Sequence, residues 1–294
     1  MKKIIDTHVH TWDLAQLRLP WLDTEDYLNQ TFTEEDYQKA AASDKFSITD
    51  AIYMEVDCTP SDREKENRWI LNQCSNAKSI FKSAVISGDL SDKHFKEYIE
   101  KYRFDISGLR QVLHVAEREK NFCLQPTFIQ NVRCLGDLGL TFDLCLRNEE
   151  LSDGYEMAKN CPETRIILNH MGNPNMEMLT QPLNDEKKSY REKWLGNLKK
   201  FSELPNVYCK ISGVMETEKA NFEDFSEEIN QVMDLFGEDR ILYASNFPVI
   251  DLGGGLNKWT EFLLTLTESR SESFKGNLFR ENAQAIYFNR RNGR

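Results

Sequence analysis

Asp6, His8 and His10 alternate within Ile4-Ile5-Asp6-Thr7-His8-Val9-His10, where an apolar run leads straight into two histidines one residue apart. In an extended strand, positions i, i+2 and i+4 share a face, so the three side chains are expected to point the same way. Two imidazoles at the end of a buried strand can both reach one divalent cation, which is half of a catalytic metal site. A chance His-X-His pair is the ordinary explanation of such a motif. Against it stands scarcity: the chain has five histidines, and a third, His170, ends the apolar run Ile166-Ile167-Leu168-Asn169. With His8 and His10 it completes either three nitrogen ligands or two ligands and a proton-transfer residue. His94 lies in a charged amphipathic segment and reads as a surface residue, and His114 reads as loop packing that could reach the same mouth.

Short apolar runs alternate with longer amphipathic segments along the chain, as in strands joined by helical crossovers. The predicted strands are 3–9, 49–56, 83–87, 106–112, 141–146, 165–169, 207–211 and 241–244. The predicted helices between them are 33–42, 63–77, 92–102, 125–138, 148–160, 190–202 and 222–236, with 256–265, 272–276 and 277–287 after the last strand. Eight strands and their crossovers in 294 residues imply one α/β domain, residues 1–294, folded as a (β/α)8 TIM barrel with extra C-terminal helices. An open doubly wound sheet is the alternative, but no Gly-rich phosphate turn follows the first strand. Ser61 with Glu64 and Thr33 with Asp36 have the spacing of helix capping boxes, and Ser91 precedes Asp92 at another start.

In a barrel enzyme the catalytic groups sit where strands end. The polar residues at these ends are His8 and His10; Glu55 and Asp57; Asp89; Arg110 and His114; Asp143 and Arg147; Asn169 and His170; Lys210 and Ser212; Ser245 and Asn246. Ordinary core strands would not end so often in ionisable groups, because burying them unpaired is costly. Arg110, Arg147 and Lys210 would bring positive charge to hold a carboxylate or an oxyanion, or would pair with Glu55, Asp57 or Asp143 as structural ion pairs. Two connections stand out. Residues 11–31 carry Trp12, Trp21 and Tyr27 over the mouth, where the rings would either pack on a ligand or seal the loop. Residues 173–188, polar and Pro-containing, form a second wall or a solvated loop.

A formal net charge of −11 argues against nucleic acid or an anionic membrane as the main partner and leaves a small molecule as the expected one. Seven scattered cysteines without a Cys-X-X-Cys motif read as reduced thiols in a cytoplasmic protein. Met1-Lys2-Lys3 has the charge of a signal peptide, but Asp6 and His8 interrupt before an apolar core develops, and no run approaches transmembrane length. No periodic apolar surface stripe defines an oligomer interface.

Taken together, the motifs resemble the amidohydrolase superfamily, in its branch of sugar-lactone and pyrone-dicarboxylate lactone hydrolases. The resemblance is carried by Asp6-Thr7-His8-Val9-His10-Thr11-Trp12-Asp13, Pro20-Trp21-Leu22, Gly108-Leu109-Arg110, Leu168-Asn169-His170-Met171-Gly172-Asn173-Pro174, Asn206-Val207-Tyr208-Cys209-Lys210-Ile211-Ser212-Gly213 and Tyr243-Ala244-Ser245-Asn246-Phe247-Pro248-Val249. It implies a barrel that hydrolyses a cyclic ester or related carbonyl compound. In it His8, His10 and His170 would hold one divalent ion, commonly zinc, or polarise the carbonyl without metal, since members differ in metal use. Arg110 would contact the substrate carbonyl or carboxylate, with Lys210, Trp12, Trp21 and Glu55 as further substrate contacts.

The family's last strand usually ends in Ser-Asp-Trp-Pro, whose Asp deprotonates the attacking water, whereas this chain has Ser245-Asn246-Phe247-Pro248. An amide can orient a water but cannot take its proton as a carboxylate does. Three expectations follow. Another carboxylate, Asp6, Asp143 or Glu55, is the base; or a metal acidifies the water and Asn246 positions it; or the barrel binds a ligand without turning it over. The leading reading is a hydrolase opening a sugar (aldono)lactone, with His170 and Asn246 catalytic; a metal-dependent decarboxylase and a silent binding barrel are the alternatives.

Overall fold

The first apolar run forms strand β1 (Lys2–Val9). A computed structural model, which describes residues 1–115 and 118–288, continues it with β2 (Phe46–Met54), β3 (Phe81–Ser87), β4 (Gly108–Val112), β5 (Thr141–Cys145), β6 (Arg165–Leu168), β7 (Val207–Ile211) and β8 (Ile241–Tyr243). The eight strands lie side by side in chain order, each pair from β1 and β2 to β7 and β8 parallel. The expected (β/α)8 barrel is therefore the fold. Where β8 meets β1 the residues just beyond the short last strand complete the ring: Asn246 N donates to His8 O at 3.0 Å and His10 N to Phe247 O at 2.8 Å. The barrel thus closes through the two segments that carry the site.

Helices α1 (Glu34–Ala40), α2 (Arg63–Ser75), α3 (Phe95–Glu100), α4 (Pro126–Asp137), α5 (Leu151–Lys159), α6 (Met176–Leu179), α7 (Asp185–Ser202) and α8 (Ser226–Phe236) form the crossovers, and α9 (Leu256–Leu266) and α10 (Glu272–Gly276) follow the last strand. Thr33 and Asp36 make the expected capping box on α1. Ser61 and Glu64 do not: α2 starts after Asp62, whose carboxylate is engaged by Arg18 N and Lys65 Nζ. Helix α3 begins at Phe95 because Asp92 turns its carboxylate back onto His94 N, and α7 begins at Asp185, capped by Asn184.

Away from the site, the barrel axis is filled by Ile5, Ile52, Met54, Val85, Ile167 and Leu242. Ala283, Ile286 and Tyr287, from the π-helical stretch at the end of the described chain, pack against this layer and plug that end of the barrel. Water is excluded from below, so polar side chains above this floor lie in a low-dielectric setting that strengthens their mutual interactions. All seven cysteines are free, and no described helix is long and apolar enough to cross a membrane.

Candidate active site

A bulge in β1 separates Asp6 from the two histidines. Asp6 pairs with Ala51 and Val9 with Tyr53, a register shift between the two ladders, and such an insertion re-aims the side chains beyond it. Asp6 therefore does not share the face of His8 and His10 as simple alternation predicts. Its carboxylate accepts from Tyr37 of α1 at 2.9 Å, Ser245 N at 2.9 Å and His8 N at 3.2 Å, a clamp across the β8–β1 seam.

His8 and His10 lie at the heart of a directional chain. Lys210 Nζ, a donor only, lies 3.5 Å from His8 Nδ1; His8 Nε2 lies 3.0 Å from His10 Nε2; and His10 Nδ1 lies 3.0 Å from the Met54 carbonyl, an acceptor only. The two ends assign the tautomers: Lys210 donates to His8 Nδ1, His8 Nε2–H donates to His10 Nε2, and His10 Nδ1–H donates to Met54 O. Lys210 is itself held by Asp143 at 2.6 Å, both fully buried, and Asn169 donates to the same carboxylate oxygen at 2.9 Å. Burial lowers the pKa of His8, His10 and His170 well below the usual imidazole range, with Lys210 and Arg110 adding to it. The net direction favours the neutral form of each ring.

Arg110, from β4, donates through Nε to Glu55 Oε1 at 2.5 Å and through Nη2 to Glu55 O at 2.7 Å. Its Nη1 lies 3.4 Å from His8 Nε2, which already carries a proton for His10. Nη1 is thus the guanidinium nitrogen left for a ligand.

Beyond β6 the chain makes a left-handed turn at His170 (φ 52°) and Met171 (φ 51°), and Trp194 secures it by donating to Met171 O at 2.8 Å. His170 Nδ1 meets Ser212 Oγ at 2.8 Å, and its ring lies 4.5 Å from that of His8, centre to centre. Gly213 (φ +79°) passes so close that a Cβ there would stand 2.5 Å from His170 Cβ. Asn246, after β8, also has a left-handed backbone (φ 64°).

These groups surround a cavity of about 360 Å³ at the ends of the strands, bordered by His10, Arg110, His170, Asn246, Asp57, Trp21 and apolar residues including Val56 and Val249. Trp21 is anchored by its indole N–H on Val56 O at 2.8 Å. Trp12 is not at the cavity: it is buried and donates to Gln30 O at 2.6 Å, sealing the loop. Glu55, Lys210, Asp143 and Asp6 likewise lie behind the cavity wall, each engaged in the bonds described above. His114 does border the cavity, with its Nδ1 3.2 Å from Cys145 Sγ, and His94 is exposed. Asp57 is the cavity acid that the sequence reading placed at a strand end, as a possible ion-pair partner, but did not name as a base. Its signal was its place directly after the second strand, beside Glu55.

The sequence signature of the amidohydrolases matches residues 5–288. The chain belongs to the amidohydrolase family. An L-fucono-1,5-lactonase of Burkholderia ambifaria is 24% identical over 88% of this amidohydrolase and 85% of its own length, and an L-rhamnono-gamma-lactonase of Scheffersomyces stipitis is 22% identical over 97% and 98%. An amidohydrolase of Burkholderia multivorans with bound zinc has the same fold, with a TM-score of 0.83 at 19% identity over 96% of this chain and 98% of that one. So has a 2,6-dihydroxybenzoate decarboxylase from Rhizobium, with a TM-score of 0.62 at 14% identity over 97% of this chain and 98% of that one.

The family is typically metal-dependent, but in this amidohydrolase the expected set of His8, His10 and His170 is not arranged as ligands of one ion. The Nδ1 of His8 accepts from Lys210, its Nε2 carries a proton, and both nitrogens of His10 are engaged. Two buried cations, Arg110 and Lys210, flank His8, and the nearby carboxylates already neutralise them. Among the described residues no three His, Cys, Asp or Glu side chains are grouped to hold a metal ion.

Proposed function

We propose that this cavity opens a cyclic ester, a sugar (aldono)lactone, by attack of water on the ring carbonyl. The observation that carries the reading is the placement of Arg110: with Nε and Nη2 locked onto Glu55, its Nη1 is held rigid as a donor for the oxyanion that forms on the carbonyl. A preorganised donor of this kind stabilises the transition state without reorganising. With the Ser212 hydroxyl donating to His170 Nδ1, the imidazole proton sits on Nε2, from which it passes to the ring oxygen as the C–O bond breaks. Asn246 orients the water. Trp21 offers an aromatic wall to the C–H face of a sugar ring. Asp143 and Asp6 act as positioning residues, the first through Lys210 and His8, the second through the β8–β1 seam. The two sugar-lactonase relatives support this substrate class, and seven free thiols support a cytoplasmic location.

The test is a pH-indicator screen of 1,4- and 1,5-aldonolactones with wild type, His170→Ala and Arg110→Met. Turnover is expected in the wild type and its loss in both variants; retained turnover in both would remove the site. Asn246 favours a second reading, a barrel that binds without catalysis. That reading is correct if the wild type is inert and Asn246→Asp creates turnover.

A further inference from the structure

We propose that Asp57 is the general base that takes the proton of the attacking water, the part Asn246 cannot play. The assignment rests on lactone opening as the reaction of this cavity. The other acids near the strand ends are engaged or away from the cavity: Glu55 holds Arg110, Asp143 holds Lys210 and Asn169 through one oxygen and is fully buried behind the wall, Asp6 accepts three hydrogen bonds, and Asp89 accepts from Ser91 outside the cavity lining. Asp57 borders the cavity together with His10, Arg110, His170 and Asn246, and among the described residues its carboxylate makes no hydrogen bond or ion pair.

Its backbone is placed deliberately. Asp57 has φ +51°, a left-handed conformation uncommon for a residue with a Cβ, and its N–H donates to Glu55 Oε2 at 2.8 Å. The Glu55–Arg110 pair that presents Nη1 to the carbonyl therefore also holds the turn that presents Asp57. Among the described residues, the left-handed non-glycine positions besides Asp57 are Asn121, His170, Met171, Asn173 and Asn246, and three of these five, His170, Asn173 and Asn246, border the same cavity. Strain of this kind gathers at functional sites because the surrounding structure must hold it.

The electrostatics suit the task. Burial and the neighbouring Glu55 push the Asp57 carboxyl up to about 6, against the opposing pull of Arg110, His114 and Arg118. Such a group is mostly ionised at neutral pH yet basic enough to accept a proton in the transition state. In the step, the water oxygen bonds to the carbonyl carbon, its proton passes to Asp57, and the carbonyl electron pair moves to the oxygen facing Arg110. The pair then returns, the ring C–O bond breaks, and the leaving oxygen takes the proton of His170. The imidazolate this leaves on His170, stabilised at Nδ1 by the Ser212 hydroxyl, takes back the proton held by Asp57, which restores both groups as a hydroxy acid leaves. Nothing is oxidised or reduced.

The experiment is steady-state kinetics on the best aldonolactone of the screen, across pH, for wild type, Asp57→Asn and Asp57→Glu. Asparagine tolerates the left-handed backbone, so Asp57→Asn is expected to fold. It should lose kcat by about 10²- to 10⁴-fold with KM little changed, and the acid limb of kcat/KM near pH 6 should vanish, while Asp57→Glu keeps that limb and part of the rate. An Asp57→Asn enzyme with wild-type kcat and the same acid limb would overturn the assignment and leave lactone opening standing. A wild type inert on every lactone would instead overturn the reaction and this role with it.

Discussion

His8 Nε2 and His10 Nε2 stand 3.0 Å apart as donor and acceptor, a direction imposed by Lys210 at one end of the chain and the Met54 carbonyl at the other. Paired in this way, the two rings of the His-X-His motif hold each other rather than a common ion. The expected consequence is that dialysis against a chelator leaves both turnover and secondary structure unchanged. Elemental analysis alongside the lactone assay checks it; one equivalent of zinc whose removal stops turnover would contradict this arrangement of the rings.

Gly213 sets the position of His170. A methyl group at Gly213 would meet His170 Cβ at 2.5 Å, at a φ of +79° that already disfavours a side chain. Gly213→Ala should move the imidazole and lower kcat on the order of a hundredfold, since small displacements of a positioned group have effects of that size. Unchanged kcat in a folded variant would mean that His170 is not placed by this contact.

The buried histidines confer acid sensitivity. Burial, reinforced by Lys210 at His8 and by Arg110 at His10 and His170, holds their pKa values well below 6.5, so below that pH the unfolded chain binds protons that the folded chain refuses. Their contribution is fully present above 6.5 and is lost as pH falls towards the folded values. Asp57 and Glu66, raised to about 6 and about 7, and Asp6, raised by burial, act in the opposite sense. The difference between variants is therefore the useful measure. Between about pH 7 and pH 5, His8→Gln should lose less stability than wild type in urea titrations; equal losses would show that His8 protonates in the folded state.

Cys145 should be the first thiol to react. Burial raises it, but His114 Nδ1 at 3.2 Å and Arg110 outweigh that and hold it below the usual thiol range. Cys123 and Cys161 are pushed up to about 12 and about 11, and Cys58, Cys134 and Cys209 are raised as well. Limiting iodoacetamide followed by peptide mass spectrometry should find the label on Cys145, and His114→Gln should remove that preference. Labelling spread over the other cysteines in wild type would count against this influence of His114 on Cys145.

By itself the sequence determined the eight strands, their crossovers and the cluster of ionisable residues at the strand ends, because a period of two or of 3.6 in apolar residues is a local property of the chain. It also singled out His8, His10, Arg110, His170 and Asn246 at the strand ends, and the resemblance implied that Asn246 stands where related chains usually carry an Asp. Tertiary structure decided what each of them touches. The bulge that turns Asp6 towards Tyr37 exists only through pairing with β2, and the loss of Lys210 and Glu55 as substrate contacts follows from ion pairs made between distant strands. Trp12 and Trp21 are alike in sequence, and only packing assigns one to the seal and the other to the cavity. Asp57 could be read from the sequence only as one strand-end acid among several for the same reason: a carboxylate becomes a candidate base when its neighbours are taken and its backbone is forced towards a cavity, and both conditions arise only when the barrel closes.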